Sequence, residues 1–111
     1  MLPEAKLATL LDRHAILEAR LAAGPDAKTL IELSREHAEL TPVVETIRAW
    51  QKAVRDRADL ADMLADPVTD PEMRSLAQME AGELDETLAT LAHAVRLSLL
   101  PKDAADKRSV I

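Results

Sequence analysis

Residues 26–65 read DAKTLIELSREHAELTPVVETIRAWQKAVRDRADLADMLA, and this stretch decides the fold. Within it, apolar and half-polar residues recur at alternating intervals of three and four positions. They are Leu30, Leu33, His37, Leu40, Val44, Ile47, Gln51, Val54, Ala58 and Ala61. That spacing is typical of the seam of a left-handed coiled coil. It predicts one helix about 60 Å long, longer than a compact domain of this size needs.

Pro42 lies inside this predicted helix. A proline in a helix interior removes one backbone hydrogen bond and clashes with the preceding turn, so we expect a kink there. The alternative is a break, in which Thr41 caps a new helix that begins at Pro42. The continuous, kinked helix is favoured because the apolar spacing keeps its register through Pro42.

Two further helices are expected to flank the long one, over about residues 3–22 and 70–98. Gly24-Pro25 is a typical stop after the first, while Asp70 and Pro71 suit the start of the last. The predicted apolar face of the last helix comprises Met73, Leu76, Glu80, Leu84, Leu88, Leu91 and Val95. Short turns make consecutive helices antiparallel. The predicted fold is therefore all-α, an elongated antiparallel helical hairpin or three-helix bundle with coiled-coil-like packing.

The domain organisation follows from length and from the end of the sequence. A chain of 111 residues is expected to form one helical domain over residues 1–98, followed by a linker over 99–111. Val110 and Ile111 are β-branched and follow a charged loop, which favours the start of a strand in an absent following domain. Gly82 interrupts the last helix, and close approach of a neighbouring helix would explain it.

Composition excludes several classes of protein. The net charge of −6 disfavours binding of DNA or RNA through bulk charge. Cysteine is absent, which rules out disulfides and suits a reducing cytoplasm. The sequence shows neither a secretory signal nor an apolar run of the length that a membrane span needs. We therefore expect a cytoplasmic protein.

No catalytic, cofactor-binding or metal-binding site is predicted. The histidines His14, His37 and His93 lie outside any motif with metal-ligand spacing. His14 and His37 fall on predicted helix seams, where we interpret them as half-buried residues between helices. The serines lack a nucleophile elbow, and a strip of leucine and alanine helices offers no pocket for acid–base chemistry. The chain is predicted to be non-catalytic.

The second helix carries a candidate contact surface that we call the basic stripe. It consists of Arg48, Lys52 and Arg55, which share one helix face at intervals of four and three. Phosphate or an acidic protein would be its partner. The favoured alternative is that acidic residues of the last helix neutralise the stripe across the hairpin. Those residues are Glu83, Asp85 and Glu86.

The second candidate contact surface is the turn over residues 66–71, which we call the tip. It contains Asp66, Pro67, Asp70 and Pro71. Two prolines make a turn rigid, and a rigid, exposed turn can dock onto a partner. The alternative is that these residues only end one helix and start the next.

Three segments carry a resemblance to a known family, namely LSREHAEL at Leu33–Leu40, DPEMR at Asp70–Arg74 followed by Leu76-Ala77, and LLPKD at Leu99–Asp103. They resemble segments of bacterial class I peptide chain release factors, and the last of the three points to the type that reads UAG and UAA. The resemblance implies the helical N-terminal domain of a translation termination factor. In that family a Pro-x-Thr tripeptide in a later domain reads the stop codon. A Gly-Gly-Gln motif in another domain promotes the hydrolysis of peptidyl-tRNA. Pro67-Val68-Thr69 matches the former by letters only, and Gly-Gly is absent from this sequence.

The resemblance also implies partners. They are the ribosome, through a ribosomal protein and ribosomal RNA at the stalk base of the large subunit, and the GTPase that recycles the factor. Neither a membrane nor DNA is expected. A different class of function, a self-associating coiled-coil adaptor, is supported by the long seam that includes Leu30, Leu33, Leu40 and Val44.

Overall fold

The computed structural model describes residues 2–101, and three helices cover most of that range. Helix α1 spans Glu4–Ala22, α2 spans Ala27–Ala65 and α3 spans Pro71–Ser98. Within residues 2–101 there is no strand. The all-α prediction is confirmed, and each helix begins one residue later than predicted. The expected strand at Val110 and Ile111 lies outside the described residues.

The turn between α1 and α2 is built from local signals that the sequence displays. Gly24 has a φ of 74°, a left-handed conformation that glycine adopts without steric cost. At the start of α2, the Oδ1 atom of Asp26 accepts a hydrogen bond of 2.8 Å from the backbone N–H of Thr29. Hydrogen bonding from Thr29 lowers the pKa of Asp26.

Helix α2 is continuous through Pro42, so the alternative of a break is wrong. Thr41 does not cap a new helix, because its hydroxyl donates a hydrogen bond of 2.7 Å to the carbonyl of His37 one turn earlier. The kink at Pro42 stays a prediction.

The main core lies where all three helices meet. Leu2 and Leu7 at the start of the chain pack with Ile47 of α2 and Val95 of α3. Ile47 and Val95 are fully buried. Helices α1 and α3 thus converge near the middle of α2, as the antiparallel arrangement predicts.

The later part of α2 buries a different face from the predicted one. Leu60 packs against Ala77 and Ala81 of α3, whereas Val54 and Ala58 of the predicted seam are exposed. The seam prediction holds from Leu33 to Ile47 and is wrong once α2 faces α3. A single apolar seam along α2 can contact only one neighbouring helix, whereas α1 and α3 pack on different sides of α2.

The apolar face predicted for the first half of α3 is also wrong, for a different reason. Met73 is 46% exposed and Leu76 is 50% exposed, and Glu80 is exposed as well. The buried residues are the small ones, Ala77 and Ala81. The prediction placed the contact at leucine and methionine and therefore overlooked alanine. Small alanine side chains allow two helices to approach closely and so can form the contact themselves.

Gly82 does not mark a close approach. A Cβ atom added there would meet nothing within 4 Å, so the expected explanation for this glycine is wrong. The structure offers no other reason for it.

The molecule is elongated, as predicted. Its principal extents are 61 × 42 × 21 Å and its radius of gyration is 19.1 Å, against roughly 13 Å for a compact domain of about 100 residues. Among the described residues, no helix combines the length and apolarity needed to cross a membrane.

Candidate functional site

The basic stripe is on the surface, with Arg48, Lys52 and Arg55 all exposed. The Nζ atom of Lys52 donates to Oδ2 of Asp56 at 2.7 Å, one turn along the same helix. Arg48 and Arg55 form no ion pair within residues 2–101. Two guanidinium groups of the stripe therefore remain available to an external anion.

Neutralisation of the stripe by α3 is not what the structure shows. Asp85 accepts a hydrogen bond of 2.8 Å from Nε of Arg57, which lies outside the stripe. Lys52 is paired within α2 instead. The predicted alternative is thus wrong about which base the acids of α3 meet.

A groove between α2 and α3 has the opposite charge to the stripe. Four carboxylates line it: Asp56, Asp59, Glu80 and Glu83. Positive and negative surfaces therefore lie side by side, an arrangement that orients a protein relative to a charged partner.

The tip is a turn fixed by its own hydrogen bonds. The carboxylate of Asp66 accepts from the backbone N–H of Val68 at 3.0 Å. The hydroxyl of Thr69 donates to the carbonyl of Met63 at 2.7 Å, and the backbone N–H of Thr69 donates to the carbonyl of Asp66 at 3.2 Å. These bonds satisfy carbonyl groups at the end of α2 that have no partner within the helix. The prediction of a rigid turn is consistent with this network.

Arg74 of α3 holds the tip in place, a role that the sequence did not predict. Its Nη1 donates to the carbonyl of Leu64 at 2.6 Å and its Nη2 donates to the carbonyl of Asp66 at 2.9 Å. Nothing in the sequence indicates that an arginine in the first turns of one helix donates hydrogen bonds to carbonyl groups at the end of the preceding helix. Asp70 occupies the N-cap position as predicted, but its side chain makes no capping hydrogen bond.

The surface of the tip is acidic and apolar. Asp66, Pro67, Asp70 and Pro71 are exposed, and Val68 is 85% exposed. The nearby cation of Arg74 is engaged with backbone carbonyls. The tip therefore disfavours phosphate and suits a protein surface with basic and apolar groups.

His14 and His37 meet between α1 and α2. Their rings stack with centroids 4.5 Å apart and planes inclined by 23°. His14 is only 4% exposed and His37 is half-buried, so the prediction of two histidines between helices is correct in position, although His14 is buried more deeply than expected. His93 is exposed on α3.

Glu18 completes a group that we call the histidine cluster, namely His14, Glu18 and His37. Oε1 of Glu18 lies 3.4 Å from Nδ1 of His14, and Oε2 lies 3.6 Å from Nε2 of His37. Sequence reasoning missed this group because His14 and Glu18 are on α1 whereas His37 is on α2. The spacing between ligands on separate helices is set by packing and cannot be read from the chain.

Next to this cluster, a two-bonded ion pair joins the same helices. Nε and Nη2 of Arg13 donate to the two carboxylate oxygens of Glu36 at 2.6 and 2.7 Å. This hydrogen bonding holds the pKa of Glu36 below its ordinary value and raises that of Arg13. The pair is a geometrically specific contact between α1 and α2.

Comparison with known families gives a match to the PCRF domain over residues 10–111, nearly the whole chain. The chain belongs to the PCRF domain family. It is 46% identical over 110 residues to "Peptide chain release factor 1" of Rhizobium rhizogenes (strain K84 / ATCC BAA-868), which covers 99% of this chain and 31% of that protein. It is 48% identical over 111 residues to the protein of the same name from Paracoccus denitrificans (strain Pd 1222), which covers 100% of this chain and 30% of that protein.

The resemblance to release factors is thus confirmed for this PCRF domain. The chain spans about a third of the length of these curated relatives. No solved structure matches it.

Proposed function

We propose that this PCRF domain helps to dock a peptide chain release factor on the ribosome during termination at UAA and UAG codons. The observation that carries the proposal is the identity of 46–48%, over essentially the whole chain, to proteins named peptide chain release factor 1. In this proposal the chain is non-catalytic and lies N-terminal to the parts that decode and promote hydrolysis. Its place of action is the cytoplasm.

The basic stripe is the proposed contact with ribosomal RNA at the stalk base of the large subunit. Arg48 and Arg55 are exposed and unpaired within residues 2–101, and guanidinium groups bind phosphate in a two-bonded geometry. The acidic groove beside them repels RNA and so restricts the orientation in which the domain approaches.

The tip is the proposed contact with a ribosomal protein. Its two exposed carboxylates and the bare side chain of Val68 suit a basic and apolar protein surface. The GTPase that recycles the factor is a further proposed partner.

A chimera tests the function as a whole. This chain replaces the matching region of the Rhizobium rhizogenes peptide chain release factor 1, and peptide release is measured on ribosomes stalled at UAA, UAG and UGA codons. We expect release at UAA and UAG at a rate close to that of the parent. A chimera no more active than the parent with this region deleted contradicts the proposal.

Charge reversal in the chimera tests the stripe. We expect Arg48→Glu with Arg55→Glu to weaken ribosome binding roughly tenfold and to reduce the salt dependence of the affinity by about two units of log–log slope. The control is Lys28→Glu with Arg35→Glu, which makes the same charge change at exposed sites of the same helix. Equal losses in both variants mean that bulk charge, and not the stripe, is responsible.

A substitution of one exposed side chain tests the tip. Val68→Ser is expected to weaken ribosome binding, whereas the control Ile31→Ser, at a residue 60% exposed elsewhere on α2, leaves it unchanged. Binding unaffected by Val68→Ser contradicts the contact at the tip.

The adaptor alternative loses part of its support. Val44 is 1% exposed and Leu33 is 5% exposed, so both are buried within one chain. Leu30, near the start of the seam, is 43% exposed, and Val54 and Ala58 near its other end are exposed as well, so the two ends of the seam are bare while its middle is buried. Sedimentation of the chain at high concentration distinguishes the two functions, since an adaptor must form a stable dimer.

A further inference from the structure

The histidine cluster leaves two buried nitrogen atoms without a partner. Nδ1 of His14 and Nε2 of His37 are inaccessible to solvent and have no hydrogen-bond partner. Each faces a different oxygen of Glu18. Buried polar atoms in proteins are nearly always satisfied, so this pair requires a physical explanation.

The hydrogen bonds around Thr41 fix the tautomer of neutral His14. The single hydroxyl hydrogen of Thr41 is donated to the carbonyl of His37 at 2.7 Å. The contact of 3.0 Å between Oγ1 of Thr41 and Nε2 of His14 therefore requires Nε2 to carry a hydrogen and to donate it. A neutral imidazole with hydrogen on Nε2 has its lone pair on Nδ1. That lone pair faces a carboxylate oxygen of Glu18, so two acceptors confront each other.

The distances favour a metal ion between these acceptors. Separations of 3.4 and 3.6 Å exceed the roughly 2.7–2.9 Å of a charge-assisted hydrogen bond. Two ligands held about 2.1 Å from one ion at a tetrahedral angle lie about 3.4 Å apart. The three ligand atoms all lie within 4.8 Å of one another.

We propose that His14, Glu18 and His37 bind one divalent transition-metal ion of the zinc class. Two imidazoles and one carboxylate form a ligand set that zinc accepts, with a fourth position left for water. Thr41 orients the ring of His14 through the nitrogen that does not bind the ion. The Glu18 side chain is 56% exposed, and this gives the ion access from solvent.

Such an ion joins α1 to α2, because two ligands belong to the first helix and one to the second. The site exists only when the helices are packed, so binding stabilises the folded chain. The proposed metal therefore acts as a link between helices, in addition to the contact of Arg13 with Glu36.

The test is calorimetric titration of the chelator-treated chain with zinc chloride, together with thermal unfolding and with visible spectra of the cobalt(II) form. We expect one ion per chain, a higher Tm with zinc than without it, and the d–d bands of tetrahedral cobalt. Failure to bind one equivalent of zinc overturns the proposal.

Variants make the assignment specific to the cluster. Glu18→Gln and His37→Gln are each expected to lower zinc affinity at least about tenfold and to reduce the zinc-dependent rise in Tm. Glu32→Gln and His93→Gln, at exposed positions outside the cluster, are the controls and should bind as the original chain does. Because His14 is buried, the test relies on the more accessible Glu18 and His37. Unchanged affinity in those two variants, or equal losses in the controls, overturns the proposal.

Discussion

The molecule contains two helical hairpins, α1 with α2 and α2 with α3, and different kinds of side chain form the contact between the helices in each. The first buries the large side chain of Leu17 completely and adds the polar pairs of Arg13 with Glu36 and of His14 with His37. The second places Leu60 against alanines and closes its turn with Arg74 on backbone carbonyls. The first contact should therefore be sensitive to lost volume, and the second to added volume.

Removing volume from each hairpin should give the largest difference. Leu17→Ala is expected to lower the free energy of unfolding by about 2–5 kcal/mol, because Leu17 is 0% exposed and leaves a cavity. Leu60→Ala should cost less, since Leu60 is 9% exposed and lies near the tip. Urea unfolding followed by circular dichroism measures both. A greater cost for Leu60→Ala would reverse the comparison.

Adding volume should affect the second hairpin. Ala77→Leu is expected to destabilise the chain by about 1–3 kcal/mol, because Ala77 is 2% exposed at a contact of small side chains. Ala89→Leu, at an exposed position of the same helix, is the control and should be nearly neutral. The same urea titration applies. If Ala77→Leu is tolerated, the alanine contact is looser than the structure indicates.

The two glycines provide a smaller test, with effects of opposite sign. Gly24→Ala should cost about 1–2 kcal/mol, because its φ of 74° strains any residue with a Cβ atom. Gly82→Ala should stabilise the chain by up to about 1 kcal/mol, because Gly82 is helical and nothing lies near the added methyl group. Thermal unfolding of both variants measures these shifts. Destabilisation by Gly82→Ala would reveal a constraint on α3 that packing does not explain.

The smallest expected effect is on the dependence of stability on pH. The pKa of Glu36 is lowered in the folded chain by hydrogen bonding to Arg13, so its contribution is complete above the ordinary carboxyl pKa of about 4.3. It is lost as the pH falls through the lower folded-state pKa. The difference in Tm between the original chain and Glu36→Gln should thus be largest at neutral pH. It should shrink towards zero below about pH 4. Glu32→Gln is the control; a difference that persists in acid contradicts this assignment.

The fold could be predicted to the extent that it depends on neighbours along the chain. The ends of α1 and α2 follow from Gly24 and Asp26, which act on backbone groups within a few residues. The buried face of α2 was predicted correctly at Val44 and Ile47 and wrongly at Val54. The site shows the same division, since exposure of the stripe was predicted but its ion pairs were not.

The sequence by itself determined three helices, their limits and their antiparallel order, because hydrogen bonds and turn conformations are set by residues close in the chain. Only the tertiary structure decided that Leu60 meets Ala77, that Asp85 pairs with Arg57, and that His37 approaches His14 and Glu18. Those contacts depend on the angle and rotation at which one helix packs on another. Many side chains set that geometry together, and no single interval in the sequence records it.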